Sequence, residues 1–328
     1  MNALVTGGGG FLGSAIVRLL RQRDDTVHSF SRRRYPELTA LGVIQHLGDI
    51  ADLIAVSRAA SGCDIVFHVA AKAGVGGRYR DYHRANVVGT ANVLTACRHH
   101  GIERLVYTSS PSVVFNGRDM AGVDETVPYP SHYDAAYPQT KAIAERMVLR
   151  ANNRLLATVS LRPHLIWGPG DNNLIPRLVA RARAGRLRRI GHESKLIDSV
   201  YIDNAADAHL LAADRLTPGS AIAGKAYFIT QGEPLPVWDL INRVLHAAGL
   251  APVTRSVPSE LAYTMGWLLE LLYGVFWPRD EPPITRFVAR ELTTAHWFAM
   301  RAARRDLGYE PRVSVEEGLR CLAIWLRG

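Results

Sequence analysis

Short apolar runs alternate with helix-length amphipathic segments along the first half of the chain. The apolar runs predict strands at 2–6, 26–30, 43–47, 64–69, 103–109 and 156–162. The segments between them predict helices at 11–23, 51–60, 80–100 and 135–152. Strands that alternate with helices form parallel sheets covered on both faces. The pattern therefore predicts an α/β fold with a doubly wound parallel sheet of the Rossmann type.

The pattern changes after Arg162. Residues 167–171, with the sequence WGPGD, open a loop, and the later segments mix helices with isolated strands such as 226–230. We therefore predict a nucleotide-binding domain at 1–165 and a smaller C-terminal substrate-binding region at 166–328.

One later segment is expected to return to the first domain. Residues 199–203, with the sequence SVYID, have the pattern of another strand. Because this strand could rejoin the main sheet, we predict that a segment near 198–213 belongs structurally to the nucleotide-binding domain.

Composition narrows the class of protein. The chain has 328 residues, of which 48% are hydrophobic, enough for one large domain or two coupled ones. Cys63, Cys97 and Cys321 match neither a disulfide framework nor a metal-ligand spacing, so we expect a reducing compartment and no metal site. The N-terminus runs directly into a strand pattern without the features of a secretory signal. A cytoplasmic location is therefore expected.

The net charge of +9 raises the question of an acidic partner. The basic residues are densest at 32–34 and in a run of arginines between Arg181 and Arg189. No aromatic residues interleave with these arginines, as a base-stacking platform would require, so nucleic acid is excluded as a partner. The run from Arg181 is expected to be a solvated helix face.

A glycine-rich loop follows the first predicted strand and opens the first helix. Residues 6–13 have the sequence TGGGGFLG. Gly7 allows a tight turn, Gly10 lets the backbone approach a pyrophosphate, and Gly13 lets the helix pack closely on the strand. The helix N-terminus attracts the anion. This arrangement predicts a dinucleotide cofactor of the NAD(P) class.

The second strand indicates which cofactor is bound. Its end, residues 29–34, carries no carboxylate for a free ribose 2'-hydroxyl, whereas Arg32 could pair with a 2'-phosphate. NADP(H) is therefore favoured, and NAD(H) stays open if the arginines form only a solvated loop. After the third strand, Asp49 has two interpretations, an adenine contact or a helix N-cap.

Ser110, Tyr137 and Lys141 form the predicted catalytic group. Tyr137 and Lys141 are four residues apart at the start of a helix, which places the phenol and the ammonium on one face. A neighbouring cation lowers the pKa of a phenol, so we expect Lys141 to prepare Tyr137 for proton transfer. Ser110 follows the strand run 105–109 at the carboxyl edge of the sheet and could hold the substrate oxygen.

Taken together, these motifs resemble the extended short-chain dehydrogenases, in their 3β-hydroxysteroid dehydrogenase-like branch, over nearly the whole chain. The resemblance also rests on residues 66–71, 85–90, 161–164 and 200–204. It implies that Asn86 supports the active site from the helix that follows the fourth strand, and that Pro163 and His164 lie by the nicotinamide. The further cofactor contacts that it implies are Phe11, Leu12, Ile50, Ala70, Ala71 and Lys72.

Two groups of relatives within this branch share features with the chain. Residues 112–117, 127–129 and 162–164 resemble the sterol-4α-carboxylate 3-dehydrogenases, and residues 34–38, 71–74 and 166–171 resemble the 2-alkyl-3-oxoalkanoate reductases of bacterial olefin synthesis. The first interpretation is oxidation of a 3β-hydroxysteroid or a sterol-4-carboxylate, whose β-keto acid product loses carbon dioxide readily. The alternative is NADPH-dependent reduction of a 2-alkyl-3-oxo acid.

Two further functions would use parts of the same sequence pattern. A nucleotide-sugar epimerase or dehydratase shares the scaffold and could hold a diphosphate with the arginines at 181–189. Dehydratases carry an acidic pair just after the catalytic serine, whereas this chain has Pro111 and Ser112. A cofactor-sensing binding module is the alternative outside enzymes, and it would not need Tyr137 and Lys141.

An apolar stretch at 261–277 bears on the substrate and on membranes. It contains two tryptophans and is bracketed by Pro258 and Pro278, but Glu270 and two glycines make it marginal for spanning a bilayer. The stretch is either a buried helix of the substrate-binding region or an amphiphilic lid that admits an apolar, lipid-like substrate from a membrane surface. A peripheral membrane association and a homodimer both stay open.

Overall fold

The computed structural model describes residues 1–74, 76–191, 193, 195–277 and 280–327. The strands are β1 Asn2–Thr6, β2 Thr26–Ser31, β3 Ile44–Leu47, β4 Ile65–His68, β5 Arg104–Thr108, β6 Met120–Val123, β7 Ala157–Pro163, β8 Ile166–Trp167, β9 Arg189–Ile190, β10 Leu196–Ile197, β11 Val200–Tyr201, β12 Ala226–Ile229, β13 Leu235–Pro236, β14 Ser256–Val257 and β15 His296–Phe298.

Helices separate most of these strands. The α-helices are α1 Phe11–Gln22, α2 Pro36–Ala40, α3 Leu53–Ala60, α4 Tyr79–Tyr82, α5 Gly89–His100, α6 Ala136–Ala151, α7 Leu174–Arg183, α8 Ile202–Arg215, α9 Val237–Ala247, α10 Ser259–Phe276, α11 Arg286–Glu291 and α12 Val315–Arg327. Helical turns of other types cover His83–Val88, Pro111–Val114 and Ala303–Leu307.

A seven-stranded sheet with the order β12-β7-β5-β4-β1-β2-β3 forms the centre of the molecule. All of its neighbouring strands run parallel. The strand order reverses between β1 and β4, and ligands of open α/β sheets bind outside the carboxyl ends of the strands at such a point. The predicted doubly wound parallel sheet is confirmed, and it places the glycine loop after β1 at the ligand-binding edge.

Apolar side chains fill both faces of this sheet. On one face α1 packs against α8, and on the other α3, α5 and α6 pack side by side. The strands β4, β5 and β7 are almost completely buried, as strands covered on both faces must be.

Two predicted strands pair with other neighbours than the sequence indicated. The run 199–203 does not rejoin the main sheet, because only Val200 and Tyr201 are extended, and they pair with Ile166 and Trp167 in a separate two-stranded sheet. The chain then turns into α8, which returns to the main sheet as a packing helix. The run 226–230, expected to be isolated, supplies β12, which pairs with β7 at the edge of the main sheet. Segments on both sides of residue 165 therefore share the sheet.

The predicted helix over 80–100 is interrupted. Residues His83–Val88 form a π-helical turn between α4 and α5. Such turns are often found at functional sites. Here the turn carries Asn86, whose side chain is only 2% exposed.

The substrate-side region contains a second sheet with the order β13-β10-β15-β6 and the apolar helix α10. The buried-helix interpretation of 261–277 is wrong for most of the stretch, since only Ala262 and Gly266 of α10 are buried. Its exposed apolar side chains are Leu261, Met265, Trp267, Leu268, Leu271, Leu272, Val275, Phe276 and, just after the helix, Trp277. Among the residues that the structure describes, no helix is long and apolar enough to cross a membrane.

Candidate active site

The glycine loop turns sharply between β1 and α1. Gly7 has a φ of +72°, and its carbonyl accepts a hydrogen bond of 2.8 Å from the Gly10 amide. A Cβ atom on Gly13 would lie 2.1 Å from the carbonyl oxygen of Gly7. Only glycine therefore allows the helix to approach the turn this closely.

The first turn of α1 fits a dinucleotide pyrophosphate. Gly10 caps the helix without a side-chain hydrogen bond, and the first turn contains no acidic residue. Its backbone amides and the positive end of the helix dipole are therefore available to an anion. Phe11 is partly buried beside this turn, and Leu12 points into the core.

The end of β2 carries three exposed arginines. Arg32 is solvent-exposed, and the guanidinium of Arg33 lies 5.0 Å from the ring centroid of Tyr35. A Cβ atom on Gly9 would lie 2.1 Å from the Tyr35 ring, so this tyrosine packs directly on the glycine loop. The role of Tyr35 could not be inferred from the sequence, because its partner glycine is far away along the chain.

Of the two interpretations of Asp49, the helix N-cap is wrong. Its carboxylate accepts from the Ala51 amide and pairs with Arg84 at 2.7 Å, whereas Asp52 is the N-cap of α3. Ile50 packs against Gly89 at the start of α5. The adenine contact of Asp49 and Ile50 stays a prediction.

Ser110 and Tyr137 meet at the carboxyl edge of the sheet. The turn that follows Ser110 packs against α6, and the Ser110 hydroxyl reduces the rise in the pKa of Tyr137. The Ser110 hydroxyl also lies 2.9 Å from the Ser112 hydroxyl and accepts from the Ser112 amide at 3.2 Å. The serine is thus fixed by its own turn and faces the tyrosine, as a substrate-oxygen holder must.

Lys141 is buried one helical turn after Tyr137. Its ammonium donates a hydrogen bond of 2.6 Å to the carbonyl of Thr108 and lies 4.2 Å from the centroid of the Tyr107 ring. Burial lowers the pKa of Lys141 to about 7, although the charge of Glu145 opposes this shift. Both contacts hold the ammonium between the C-terminal end of β5 and the N-terminal part of α6.

We expected Lys141 to lower the pKa of Tyr137, and this expectation is wrong for the protein without bound ligands. Burial raises the pKa of Tyr137 to about 12, and the hydrogen bond from Ser110 reduces this shift only in part. The physical reason is that the phenolate loses more hydration than the surrounding side chains replace. Tyr137 is therefore a protonated phenol at neutral pH.

Glu145 and Arg162 form a buried ion pair behind Lys141. The guanidinium of Arg162 donates to the Glu145 carboxylate at 2.7 Å, and the Tyr129 phenol donates to the same carboxylate at 2.6 Å. Burial would raise the pKa of Glu145, but the charge and hydrogen bonds of Arg162, with that from Tyr129, bring it below its usual value. The pairing could not be inferred from the sequence, because its members lie on α6 and β7 and meet only in the fold.

Asn86 connects the loop after β4 to the catalytic helix. Its side chain accepts from the Lys72 amide at 2.7 Å and donates to the Lys72 carbonyl at 3.1 Å and to the Thr140 hydroxyl at 3.0 Å. Ala70, just before, donates its amide to the hydroxyl of Thr6 at 3.2 Å. Asn86 is thus buried and not on the helix surface.

The remaining predicted cofactor residues lie nearby. Ala71 is exposed between Ala70 and Lys72. Pro163 is buried at the end of β7, and the His164 ring donates to the Asp198 carbonyl at 2.5 Å. Burial lowers the pKa of His164 to about 4, so the ring is neutral. The structure gathers all predicted residues along one edge of the sheet, and their contacts with a cofactor stay predictions.

Tyr82 and Glu291 are site residues that sequence analysis missed. Burial raises the pKa of Glu291 to about 8, and its charge in turn raises the pKa of Tyr137. Tyr82 is also electrostatically coupled to Tyr137. Neither residue belongs to a motif, because the fold brings them in from α4 and from the end of α11.

Comparison with known proteins shows which family the chain belongs to. Residues 4–258 match the 3-beta hydroxysteroid dehydrogenase/isomerase family. The chain is 55% identical to a 2-alkyl-3-oxoalkanoate reductase of Stenotrophomonas maltophilia over 98% of both chains. It is 33% identical to a decarboxylating sterol-4-alpha-carboxylate 3-dehydrogenase of Mus musculus over 96% of this chain and 88% of that protein. The UDP-glucose 4-epimerase of Thermus thermophilus in complex with NAD superposes with a TM-score of 0.76 and 25% identity over 100% of this chain and 99% of that one.

The resemblance to short-chain dehydrogenases, inferred from the motifs, is confirmed. Both sequence relatives named above are reductases or dehydrogenases, and the matched region includes the glycine loop, Ser110 and the Tyr137/Lys141 pair. The chain is an NAD(P)-dependent oxidoreductase and belongs to the 3-beta hydroxysteroid dehydrogenase/isomerase family.

Proposed function

We propose that the protein reduces the 3-oxo group of a 2-alkyl-3-oxo acid with NADPH. The observation that carries the proposal is the grouping of Ser110, Tyr137 and the buried Lys141 at the carboxyl edge of the sheet, where Lys141 donates a hydrogen bond to the Thr108 carbonyl. Reduction of a ketone needs a proton donor beside the carbonyl oxygen, and the Tyr137 phenol is protonated at neutral pH. The identity of 55% with a 2-alkyl-3-oxoalkanoate reductase supports the same direction and substrate class.

The mechanism follows from the positions of the three side chains. A nicotinamide cofactor, held with its pyrophosphate at the first turn of α1, would supply the hydride for C3 of the substrate. Ser110 donates a hydrogen bond that orients the C3 oxygen, and Tyr137 transfers its phenolic proton to that oxygen. Lys141, one turn further along α6, supplies the positive charge that stabilises the remaining phenolate. Asn86 keeps α6 and the loop after β4 in register through Thr140 and Lys72.

The preference for NADP(H) rests on the end of β2. Arg32 is exposed there, while Arg33 lies over Tyr35. No carboxylate stands between residues 29 and 34 to bind a free ribose 2'-hydroxyl. Arg32 would hold the 2'-phosphate, and the amides of the first α1 turn would hold the pyrophosphate.

We also propose that α10 contacts a membrane surface. Val275 and Phe276 are 66% and 65% exposed, and the neighbouring Trp267 and Trp277 are half-exposed. Exposed apolar helices with tryptophans lie in the interface between acyl chains and headgroups. Such a contact would bring an alkyl-chain substrate directly to the protein.

The membrane contact is tested by vesicle flotation. Replacing Leu271 and Val275 together by Glu should abolish co-flotation with anionic phospholipid vesicles, while Ile324→Glu, at an equally exposed position of α12, should not. Flotation that persists in the Leu271/Val275 variant, or no flotation of the unmodified protein, would contradict the contact.

The substrate is tested by steady-state turnover. NADPH oxidation is measured with freshly hydrolysed 2-alkyl-3-oxo acid, and the reverse reaction with 3β-hydroxysteroids, sterol-4-carboxylates and nucleotide sugars. We expect the highest kcat/KM with the 2-alkyl-3-oxo acid. A higher value with a sterol or a nucleotide sugar would overturn the proposal.

A further inference from the structure

A short segment lies between α10 and α11, beside the loop that follows β4. We call residues 281–283 the strap. A Cβ atom on Gly74 would lie 2.2 Å from a carboxylate oxygen of Glu281, and one on Gly76 would lie 2.7 Å from the Glu281 Cα. The strap therefore packs directly on the loop that follows β4.

Helix α7 holds the strap from the other side. The guanidinium of Arg177 forms an ion pair with the carboxylate of Glu281. One turn later, Arg181 donates a hydrogen bond of 2.5 Å to the carbonyl of Pro283. The two arginines bind the same strap in different ways, because Arg177 binds a carboxylate and Arg181 binds the backbone.

Tyr82 connects this ion pair to the catalytic group. Its phenol donates to the Gly76 carbonyl at 2.6 Å, and the ammonium of Lys72 lies 5.0 Å from the centroid of its ring. Burial raises the pKa of Tyr82, the charge of Arg177 opposes this shift, and Tyr137 adds to it. A Cβ atom on Gly74 would lie 3.3 Å from the Tyr82 hydroxyl and 2.2 Å from the Glu281 carboxylate, so both side chains flank the same glycine. Helix α4, which carries Tyr82, also packs against α6, which carries Tyr137.

We propose that Arg177 binds the carboxylate of the substrate, and that Glu281 occupies the guanidinium until the substrate carboxylate replaces it. This inference rests on the proposed function, since a 2-alkyl-3-oxo acid carries its carboxylate only one carbon away from the C3 that is reduced. The planar guanidinium fork matches a carboxylate. Exchange of one carboxylate for another keeps the arginine paired throughout.

The position of the pair favours exchange over a permanent structural ion pair. The side chains of Arg177 and Glu281 are 49% and 25% exposed, so the pair lies near the surface and contributes little to stability. The buried pair of Glu145 and Arg162 is the opposite case, with exposures of 0% and 3%.

The test compares an acid with its ester. Oxidation of a 2-alkyl-3-hydroxy acid and of its methyl ester by NADP+ is measured, because neither compound loses carbon dioxide. Arg177→Leu should raise KM for the acid at least about tenfold relative to the ester, the loss expected for one charge-assisted contact. Glu281→Gln should lower KM for the acid severalfold and leave the ester unchanged.

Arg181→Leu is the matched control, since it loosens the strap without removing the carboxylate partner. It should change KM for the acid and the ester by the same factor. An equal effect of Arg177→Leu on both compounds, an acid-selective effect of Arg181→Leu, or no effect of Glu281→Gln would overturn the subsite. If the leucine variant does not fold, Arg177→Gln gives the same comparison.

The ester also separates this inference from the proposed function. If the unmodified protein oxidises neither compound with NADP+, the proposed function has failed and the subsite fails with it. If it oxidises both with equal KM and Arg177→Leu leaves that ratio unchanged, only the subsite has failed.

Discussion

The ammonium of Lys141 donates a hydrogen bond of 2.6 Å to the carbonyl of Thr108, at the end of the strand that leads into Ser110. This bond joins the helix that carries Tyr137, the proposed proton donor, to the strand that leads into Ser110. Lys141 is buried and only 2% exposed. The hydrogen bond favours the ammonium, whereas burial opposes it and lowers the pKa of Lys141 to about 7.

The burial of Lys141 should be visible in stability against pH. Because its pKa is lowered from 10.5 to about 7 in the folded protein, the unfolded chain binds more protons between these values. The stability that the lysine contributes should therefore rise as pH increases from about 7 towards 10.5. Chemical denaturation of wild type and Lys141→Met across this range measures it, and a difference in unfolding free energy that stays constant would contradict the burial argument.

The buried pair of Glu145 and Arg162 gives a second stability prediction. Glu145→Gln leaves the guanidinium without its counter-charge and should destabilise the protein by about 3 to 5 kcal/mol. A Glu145→Leu, Arg162→Met double variant should recover much of this loss.

The same pair has a defined pH dependence. Since the pKa of Glu145 lies below its usual value of 4.5, the contribution is complete above that value and is lost as pH falls through the lowered pKa. Urea denaturation of the wild type and the double variant at pH 7 and at pH 3 is the measurement. If the unfolding free energies of the wild type and the double variant fall by the same amount between pH 7 and pH 3, another group dominates the acid sensitivity.

The close approach in the glycine loop predicts a steric effect. Gly13→Ala would place a Cβ atom 2.1 Å from a backbone oxygen, so it should cost on the order of 1 to 3 kcal/mol of stability and weaken cofactor binding. Gly274→Ala in α10 is the matched control, because no atom lies within 4 Å of its Cβ position. That variant should be neutral or up to about 1 kcal/mol more stable, since alanine favours helices. Thermal unfolding of both variants decides this.

Cofactor choice is tested at the end of β2. Arg32→Ala should weaken NADP(H) binding about ten- to a hundredfold through loss of one charge-assisted contact, and should leave NAD(H) affinity nearly unchanged. Arg34→Ala, equally exposed and two residues away, is the control and should affect neither cofactor. Fluorescence titration of NADPH and NADH measures both affinities. A wild-type preference for NADH, or equal losses for the two cofactors, would make the arginines a solvated loop.

The sequence was sufficient for six of the seven strands of the main sheet, because these are local apolar runs that need no distant partner to be recognised. It was not sufficient for β11 and β12. The run at 199–203 and the run at 226–230 look alike in isolation, and only pairing with β8 or β7 separates them. The motifs likewise indicated Ser110 and Tyr137 as candidates, because these residues lie next to recognisable strand and helix ends, and their roles stay predictions.

Residues that reach the site through packing had no local signal. Arg177 resembled the neighbouring arginines of a solvated helix, and its ion pair with Glu281 joins segments far apart in the chain. The pKa of Tyr137 was expected to fall because the spacing to Lys141 was visible, whereas the burial that raises it depends on the whole fold.

The central claim is that Tyr137 donates the proton during reduction of a 2-alkyl-3-oxo acid. The most direct measurement is NADPH-dependent turnover of this substrate by wild type, Tyr137→Phe and the control Tyr133→Phe, whose phenol donates to the Val113 carbonyl. We predict that Tyr137→Phe lowers kcat at least about 100-fold while the dissociation constant for NADPH stays the same, and that Tyr133→Phe retains most of its turnover. Turnover of Tyr137→Phe close to that of the wild type would contradict the mechanism.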